Sequence, residues 1–260
     1  MNAAASQALP PAWTTLAIVV TVAAEVTLGR WLQARRMAGQ SLPAFGAAPA
    51  LHIPTMDIAA VVAALALSVY WPGGIWFGLV GAAAIATVLR LHGLSLRRHF
   101  GPGPLSLPGV AGLSLWIALA VFVPLQLLAG GCQLLFQHFG WPTPAEPAVD
   151  LFLHAEGWRQ LAVLFFAATV VAPFGEETLF RGFLQPLLRR HLPPWGAIAI
   201  TALVFAALHQ HALTLLPLFV FGLILGFTYE LSGSLLLCMA VHFWFNGFTA
   251  LLLIAGYGPQ

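Results

Sequence analysis

Long runs of apolar residues follow one another along this chain, with short polar or Pro/Gly-containing connections between them. The runs from Leu213 to Leu231 and from Leu235 to Ala255 contain a single charged residue between them, Glu230. A transmembrane α-helix needs about 20 consecutive apolar residues, and these runs have that length. A chain built in this way is predicted to fold as an all-α, polytopic bundle of transmembrane helices.

Charged side chains make up 7% of the 260 residues, hydrophobic ones 60%, and the mean hydropathy is +0.90. A soluble domain is about 25% charged and 45–50% apolar, so the composition predicts a protein of the lipid bilayer. The chain has ten arginines and no lysine, and most of the arginines lie next to apolar segments, which indicates membrane orientation and not nucleic-acid binding. Cys132 and Cys238 lie inside apolar runs and are interpreted as small apolar side chains.

We predict about eight spans, near residues 13–28, 58–70, 75–89, 110–128, 161–188, 197–208, 213–231 and 235–255. The segment from Ile58 to Leu89 is too long for one span, and Trp71 to Gly74 (WPGG) predict a tight turn that divides it. The stretch from His138 to Arg159 is the least hydrophobic and is predicted to be the largest loop outside the bilayer. Glu25 and Glu230 are expected at the membrane interface.

Arginine positions predict the orientation. With eight alternating helices, one side of the membrane receives Arg30, Arg35, Arg36, Arg90, Arg97, Arg98, Arg189 and Arg190, and Arg159 is the exception. The positive-inside rule then places both termini outside the cytoplasm. The Ala/Gly/Arg-rich, lysine-free composition suggests a bacterial genome of high GC content, so the expected location is the bacterial inner membrane, as a multi-pass protein.

Three charged residues interrupt the apolar run of residues 161–188: Glu176, Glu177 and Arg181. A charge at bilayer depth costs at least about 2.5–3.5 kcal/mol, so this group needs a compensating reason. Glu177 and Arg181 are four residues apart, share a helix face and can pair. Glu176 is rotated by about 100° and is not aligned with that arginine, which makes it the predicted working residue. Pro173 and Gly175 predict a kink or local break just before the two glutamates.

Polar residues also occur at helical spacing in the last apolar segments. His209 ends the sequence FAALH, and His242 and Asn246 lie four apart in HFWFN, so these two share a face. In hydrocarbon such side chains should face the interior of the bundle. A carboxylate and an imidazole can activate water, and an amide with a second imidazole can stabilise a tetrahedral intermediate. In a drawing of straight spans, however, His209 and His242 lie toward opposite membrane faces, so tilt or a bend is needed to bring them together.

At these residues the sequence resembles a known family. EETLFR fits the motif EExxxR, FAALH fits FxxxH and HFWFN fits HxxxN, in that order. They are the motifs of the CPBP family (CAAX protease and bacteriocin-processing), glutamic intramembrane endopeptidases that include the type II CAAX prenyl proteases. The resemblance covers about Arg159 to Tyr257. It divides the chain into residues 1–158, N-terminal transmembrane helices with the extramembrane loop, and residues 159–260, a catalytic transmembrane core.

The resemblance implies a role for each motif residue. Glu176 would be the general base and would activate water together with His209. The second glutamate and the arginine of the first motif would support it, and His242 with Asn246 would form the oxyanion site. The resemblance implies no cofactor and no bound metal. A Glu/His/His set could also bind zinc, but asparagine is a poor zinc ligand and the motif HExxH is absent, which favours the metal-free interpretation.

Other interpretations remain open at this point. The Glu/Glu/Arg group could be a structural ion-pair cluster, and the His–Asn pair could serve as an interhelical hydrogen bond. The protein could be a non-catalytic membrane protein that binds a peptide, as a bacteriocin-immunity factor would. A proton-coupled carrier is a weaker alternative, because no inverted repeat is visible. The expected partners are the lipid bilayer and a peptide or protein substrate, with membrane-anchored or prenylated chains as candidates, and no nucleic acid.

Overall fold

The computed structural model describes residues 11–38, 48, 51–68 and 75–257. All regular secondary structure in these residues is helical, so the predicted all-α class is confirmed. The helices are α1 (Pro11–Met37), α2 (Thr55–Ser68), α3 (Ile75–Leu91), α4 (Leu96–Phe100), α5 (Leu107–His138), α6 (Pro147–Leu153), α7 (Gly157–Leu188), α8 (Pro194–Leu208), α9 (Leu215–Ser232) and α10 (Leu235–Tyr257). A short 3₁₀ turn, Ala212–Thr214, precedes α9.

Four of the described helices are long and apolar enough to cross a membrane: α5, α7, α9 with its preceding turn, and α10. The apolar parts of α1, α2, α3 and α8 are shorter. This set of helices is that of an integral membrane protein. The number of eight spans stays a prediction, and the turn predicted at 71–74 lies outside the described residues.

Helices α7 to α10, which carry the three motifs, form the centre of the bundle. Helix α10 contacts α5, α7 and α9, while α8 lies against α9 and α3 lies against α7. The main buried cluster joins Phe180 and Phe183 of α7 to Phe205 of α8 and Phe221 of α9. Burial of these aromatic side chains fixes how α7, α8 and α9 lie relative to one another.

Helix α7 is not a regular α-helix throughout. Two π-helical turns, Ala167–Val171 and Phe180–Leu184, enclose the regular segment Ala172–Leu179 that carries both glutamates. In the first π turn the Ala172 N–H bonds to the Ala167 carbonyl, five residues back. Proline has no N–H to donate, and a π turn is one way in which a helix accommodates such a gap. The irregularity expected near Pro173 is therefore present as the π turn that precedes this proline.

Glycines allow two pairs of helices to approach closely. A Cβ atom on Gly175 would lie 2.5 Å from the Cα of Gly78, so α3 and α7 touch backbone to backbone beside the glutamates. On α9, Gly222 meets Ala202 of α8, and a Cβ there would lie 3.0 Å from its Cα. Small residues at such crossings are typical of membrane bundles.

Glu230, which is expected at the membrane interface, is enclosed by the bundle near the end of α9. Its side chain is fully buried, with Oε1 3.1 Å from Nε of Arg189 and 3.2 Å from Nε2 of Gln185. The end of α9 lies beside the end of α7, which supplies both partners and stabilises a carboxylate away from water. Glu25, in contrast, is exposed on α1, as an interfacial side chain would be.

The variant Gly175→Ala should lower the free energy of unfolding by about 1–3 kcal/mol, the usual cost of overpacking. The added methyl group would overlap the backbone of Gly78, which cannot rotate away as a side chain can. Thermal unfolding in detergent, followed by circular dichroism, measures the change.

The matched control is Gly112→Ala on α5, where nothing lies within 4 Å of the added carbon. This variant should be as stable as the wild type or slightly more so, because alanine favours helix. Equal stability of the two alanine variants would contradict a backbone contact between α3 and α7.

Candidate active site

A cavity of about 270 Å³ lies among helices α6 to α10. Its lining includes all four side chains predicted to be catalytic: Glu176, His209, His242 and Asn246. They come from α7, from the residue that ends α8, and from α10. Most of the other lining residues are apolar, among them Phe221. The structure thus brings the predicted residues together at one cavity.

The predicted pair of Glu177 and Arg181 is confirmed. Arg181 Nη1 donates to Glu177 Oε1 at 2.9 Å, and neither residue has any exposed surface. Arg181 Nη2 donates to the carbonyl of Gly222 on α9 at 2.9 Å. The guanidinium carbon also lies 5.0 Å from the centre of the Phe205 ring. A buried charge needs partners of this kind, and here they come from three helices.

Glu177 has a second partner that the sequence did not indicate. Nδ1 of His242 lies 2.9 Å from the same oxygen, Oε1. An ionised carboxylate only accepts hydrogen bonds, so Nδ1 carries the hydrogen and the ring orientation is set. The opposite nitrogen, Nε2, is then directed to the cavity, where Glu176 Oε2 lies 3.9 Å away. Glu177 therefore positions the imidazole in addition to pairing with the arginine.

Glu176 differs from its neighbour in its surroundings. Its side chain is 27% exposed, whereas that of Glu177 is fully buried. The distance of 3.9 Å to His242 Nε2 exceeds a hydrogen bond and leaves the carboxylate free to act on a molecule in the cavity. The paired and the unpaired glutamate thus have the environments that the helix rotation predicts.

His209 and Asn246 are each held by one backbone carbonyl. Nδ1 of His209 lies 2.8 Å from the carbonyl oxygen of Phe205, so this nitrogen donates and Nε2 stays available as an acceptor. Nδ2 of Asn246 donates to the carbonyl of Ala168, in the first π turn of α7, at 2.8 Å. The interhelical hydrogen bond considered for Asn246 is therefore present, and Asn246 also lines the cavity.

Glu146 is a lining residue that the sequence did not single out. It precedes α6 in the connection predicted to lie outside the bilayer. Burial raises the pKa of its carboxyl, His209 and His211 lower it in part, and the charge of Glu176 raises it again. The only signal in the sequence was an acidic residue between prolines.

No three His, Cys, Asp or Glu side chains are arranged as a metal site within the described part of the chain.

Arg181→Met should lower the free energy of unfolding by about 3–5 kcal/mol, because it removes the counter-ion of a fully buried carboxylate. The double variant Glu177→Gln/Arg181→Met should recover much of this loss, since glutamine is neutral and can still accept from His242. Thermal unfolding of the three proteins in detergent measures the difference. A double variant no more stable than Arg181→Met would show that the ion pair is not the stabilising element.

Comparison with known proteins identifies the motif region. Residues 158–248 match the family model described as type II CAAX prenyl endopeptidase Rce1-like. An uncharacterized 24.3 kDa protein of Escherichia coli is 35% identical over 104 residues, which is 38% of this chain and 48% of that protein. The uncharacterized protein YpbD of Bacillus subtilis is 37% identical over 89 residues, 33% of this chain and 42% of that protein.

A third similar protein is the probable multidrug resistance protein NorM of Acinetobacter baylyi, 27% identical over 117 residues, which is 45% of this chain and 24% of that protein. The matches thus span less than half the length of each of these relatives. No solved structure matches. The matched residues contain EETLFR, FAALH and HFWFN, the motifs on which the resemblance depends. Residues 158–248 of this chain are therefore similar to the family described as type II CAAX prenyl endopeptidase Rce1-like.

Proposed function

We propose that this protein is an integral-membrane endopeptidase that cuts a peptide bond with a water molecule activated by Glu176 and His209. The observation that carries the proposal is the meeting of Glu176, His209, His242 and Asn246 at one largely apolar cavity. The family match of residues 158–248 supports the same reaction class. In an apolar surrounding, a free carboxylate and an imidazole with an acceptor nitrogen are strong bases toward water.

The first step would be attack of water on the carbonyl carbon of the substrate. Glu176 would accept a proton from the water while Nε2 of His209 accepts a hydrogen bond from its other O–H. The water oxygen forms a bond to the carbonyl carbon, and the carbonyl oxygen becomes negatively charged. When the C–N bond breaks, Glu176 would return the proton to the leaving nitrogen, which gives a carboxylic acid and an amine.

The negative oxygen would be stabilised by His242 and Asn246. The amide of Asn246 keeps one N–H beyond its bond to the Ala168 carbonyl. His242 donates to Glu177 from Nδ1, so donation from Nε2 as well requires the doubly protonated ring, with Glu177 as its counter-ion. Two donors directed at a developing oxyanion provide the usual stabilisation of an acyl-transfer transition state.

The proposal includes no metal. The substrate is proposed to be a peptide or protein within or anchored to the membrane, and the proposed location is the bacterial inner membrane. The long apolar helices α7, α9 and α10 support a substrate that reaches the cavity from the bilayer.

Glu176→Ala should leave the protein folded and reduce peptide cleavage at least 100-fold, since a positioned general base contributes about 10²–10⁴. Comparison of membrane proteomes from cells with wild-type or variant protein should show a precursor that accumulates only with the variant. Glu156→Gln is the matched control, because Glu156 is an exposed acid outside the cavity. Full cleavage by Glu176→Ala would reject the mechanism. If Glu176→Gln still protected cells fully against a bacteriocin, the result would favour the alternative of a non-catalytic binding protein.

Removal of metal ions tests the metal-free mechanism separately. Dialysis of the purified protein against EDTA and treatment with 1,10-phenanthroline should leave the cleavage rate of the same substrate unchanged. A loss of activity that zinc restores would support the Glu/His/His zinc site instead.

A further inference from the structure

One wall of the cavity comes from outside the family match. Glu146, Ala148, Val149 and Phe152 line it, and they precede the matched residues, which begin at 158. This wall consists of α6 and the residue before it. Phe152 is buried in a cluster with residues of α7 and α10, and α6 contacts α10. The wall is therefore fixed to the catalytic helices by packing.

Glu146 is the polar member of this wall, since the other three side chains are apolar. It precedes the first residue of α6, yet its side chain does not cap the helix. The groups within electrostatic range of its carboxylate are His209, His211 and Glu176. Among the described residues that line the cavity there is no arginine. Arg181 on α7 is fully buried and bonded to Glu177.

The wall therefore contains a partly buried carboxylate that faces two imidazoles and a second carboxylate, without a full counter-charge among the described residues. Burial raises the pKa of Glu146, and the negative charge of Glu176 adds to this, while the two imidazoles lower the pKa only in part. Desolvation of an anion is unfavourable unless a cation or several donors replace the water. A positively charged group entering the cavity would supply what the described residues do not.

We propose that Glu146 is a specificity-determining residue that binds a lysine or arginine side chain of the substrate next to the bond that is cut. This assignment depends on the proposed endopeptidase function and names its substrate class. Ala148, Val149 and Phe152 would contact apolar neighbours of the basic residue. The preferred substrate is therefore an apolar peptide segment that carries a positive charge close to the scissile bond.

The experiment uses the purified full-length protein and quenched fluorescent peptides with an apolar sequence. Three peptides differ at one position, which holds lysine, its neutral analogue norleucine, or glutamate. A separate set of three is made for each position near the bond that is cut. The wild type should prefer lysine over norleucine at one position. Glu146→Gln should reduce this ratio of kcat/KM roughly tenfold, as expected when one member of a partly buried charge pair is removed.

Charge reversal provides the second variant. Glu146→Lys should prefer the glutamate peptide over the lysine peptide at the same position, which loss of structure alone would not produce. Glu156→Gln, on the same connection but exposed and outside the cavity, should keep the wild-type preference. Thermal unfolding of each variant shows that it is folded.

The outcomes separate the two proposals. Equal lysine-to-norleucine ratios for wild type and Glu146→Gln at every position would overturn the role of Glu146 and leave the endopeptidase intact. Cleavage of all three peptides by Glu176→Ala would reject the proposed mechanism whatever the charge preference. A folded wild-type protein that cleaves none of the peptides would overturn both.

Discussion

The rest of the site depends on the hydrogen bonds that the buried carboxylate of Glu177 accepts. One oxygen accepts from Arg181 on its own helix and from His242 on α10, each at 2.9 Å. Arg181 in turn donates to the Gly222 carbonyl of α9. A charge buried away from water is strongly unfavourable without partners. Because the partners of this ion pair come from α7, α9 and α10, separating these helices would leave a buried charge unpaired. Neighbouring Glu176 is left free by the same arrangement.

The central helices can take this arrangement because their backbones come close together. Gly222 allows α8 to approach α9, which brings Phe205 over Arg181 and places His209 at the cavity. The first π turn of α7 also joins two helices, because the carbonyl of Ala168 in this turn accepts a hydrogen bond from Asn246 on α10. The cavity is completed by α6, which lies outside the motif region, so catalytic chemistry and substrate choice would depend on different parts of the chain.

The local periodicity of the sequence was sufficient to predict the fold class and several side-chain pairs of this protein. The length and polarity of the apolar runs determine an all-helical membrane protein, because only internal hydrogen bonds can satisfy a backbone in lipid. A spacing of four residues determines that Glu177 pairs with Arg181, and that His242 and Asn246 share a face. The rotation between adjacent residues distinguishes Glu176 from Glu177. Pro173 indicated an irregular helix, although not its π-helical form.

Contacts between distant segments were decided only by the tertiary structure. The bond from His242 to Glu177 joins residues 65 apart, and no helical period relates them. Straight spans placed His209 and His242 at opposite ends, whereas the packed helices bring both to one cavity. Glu230 was expected at the interface, and only the packed structure shows that it is buried and paired with Arg189. Glu146 faces the cavity because α6 packs on α10. Each of these outcomes depends on how helices cross, which is set by side-chain packing over the whole bundle and not by any local pattern.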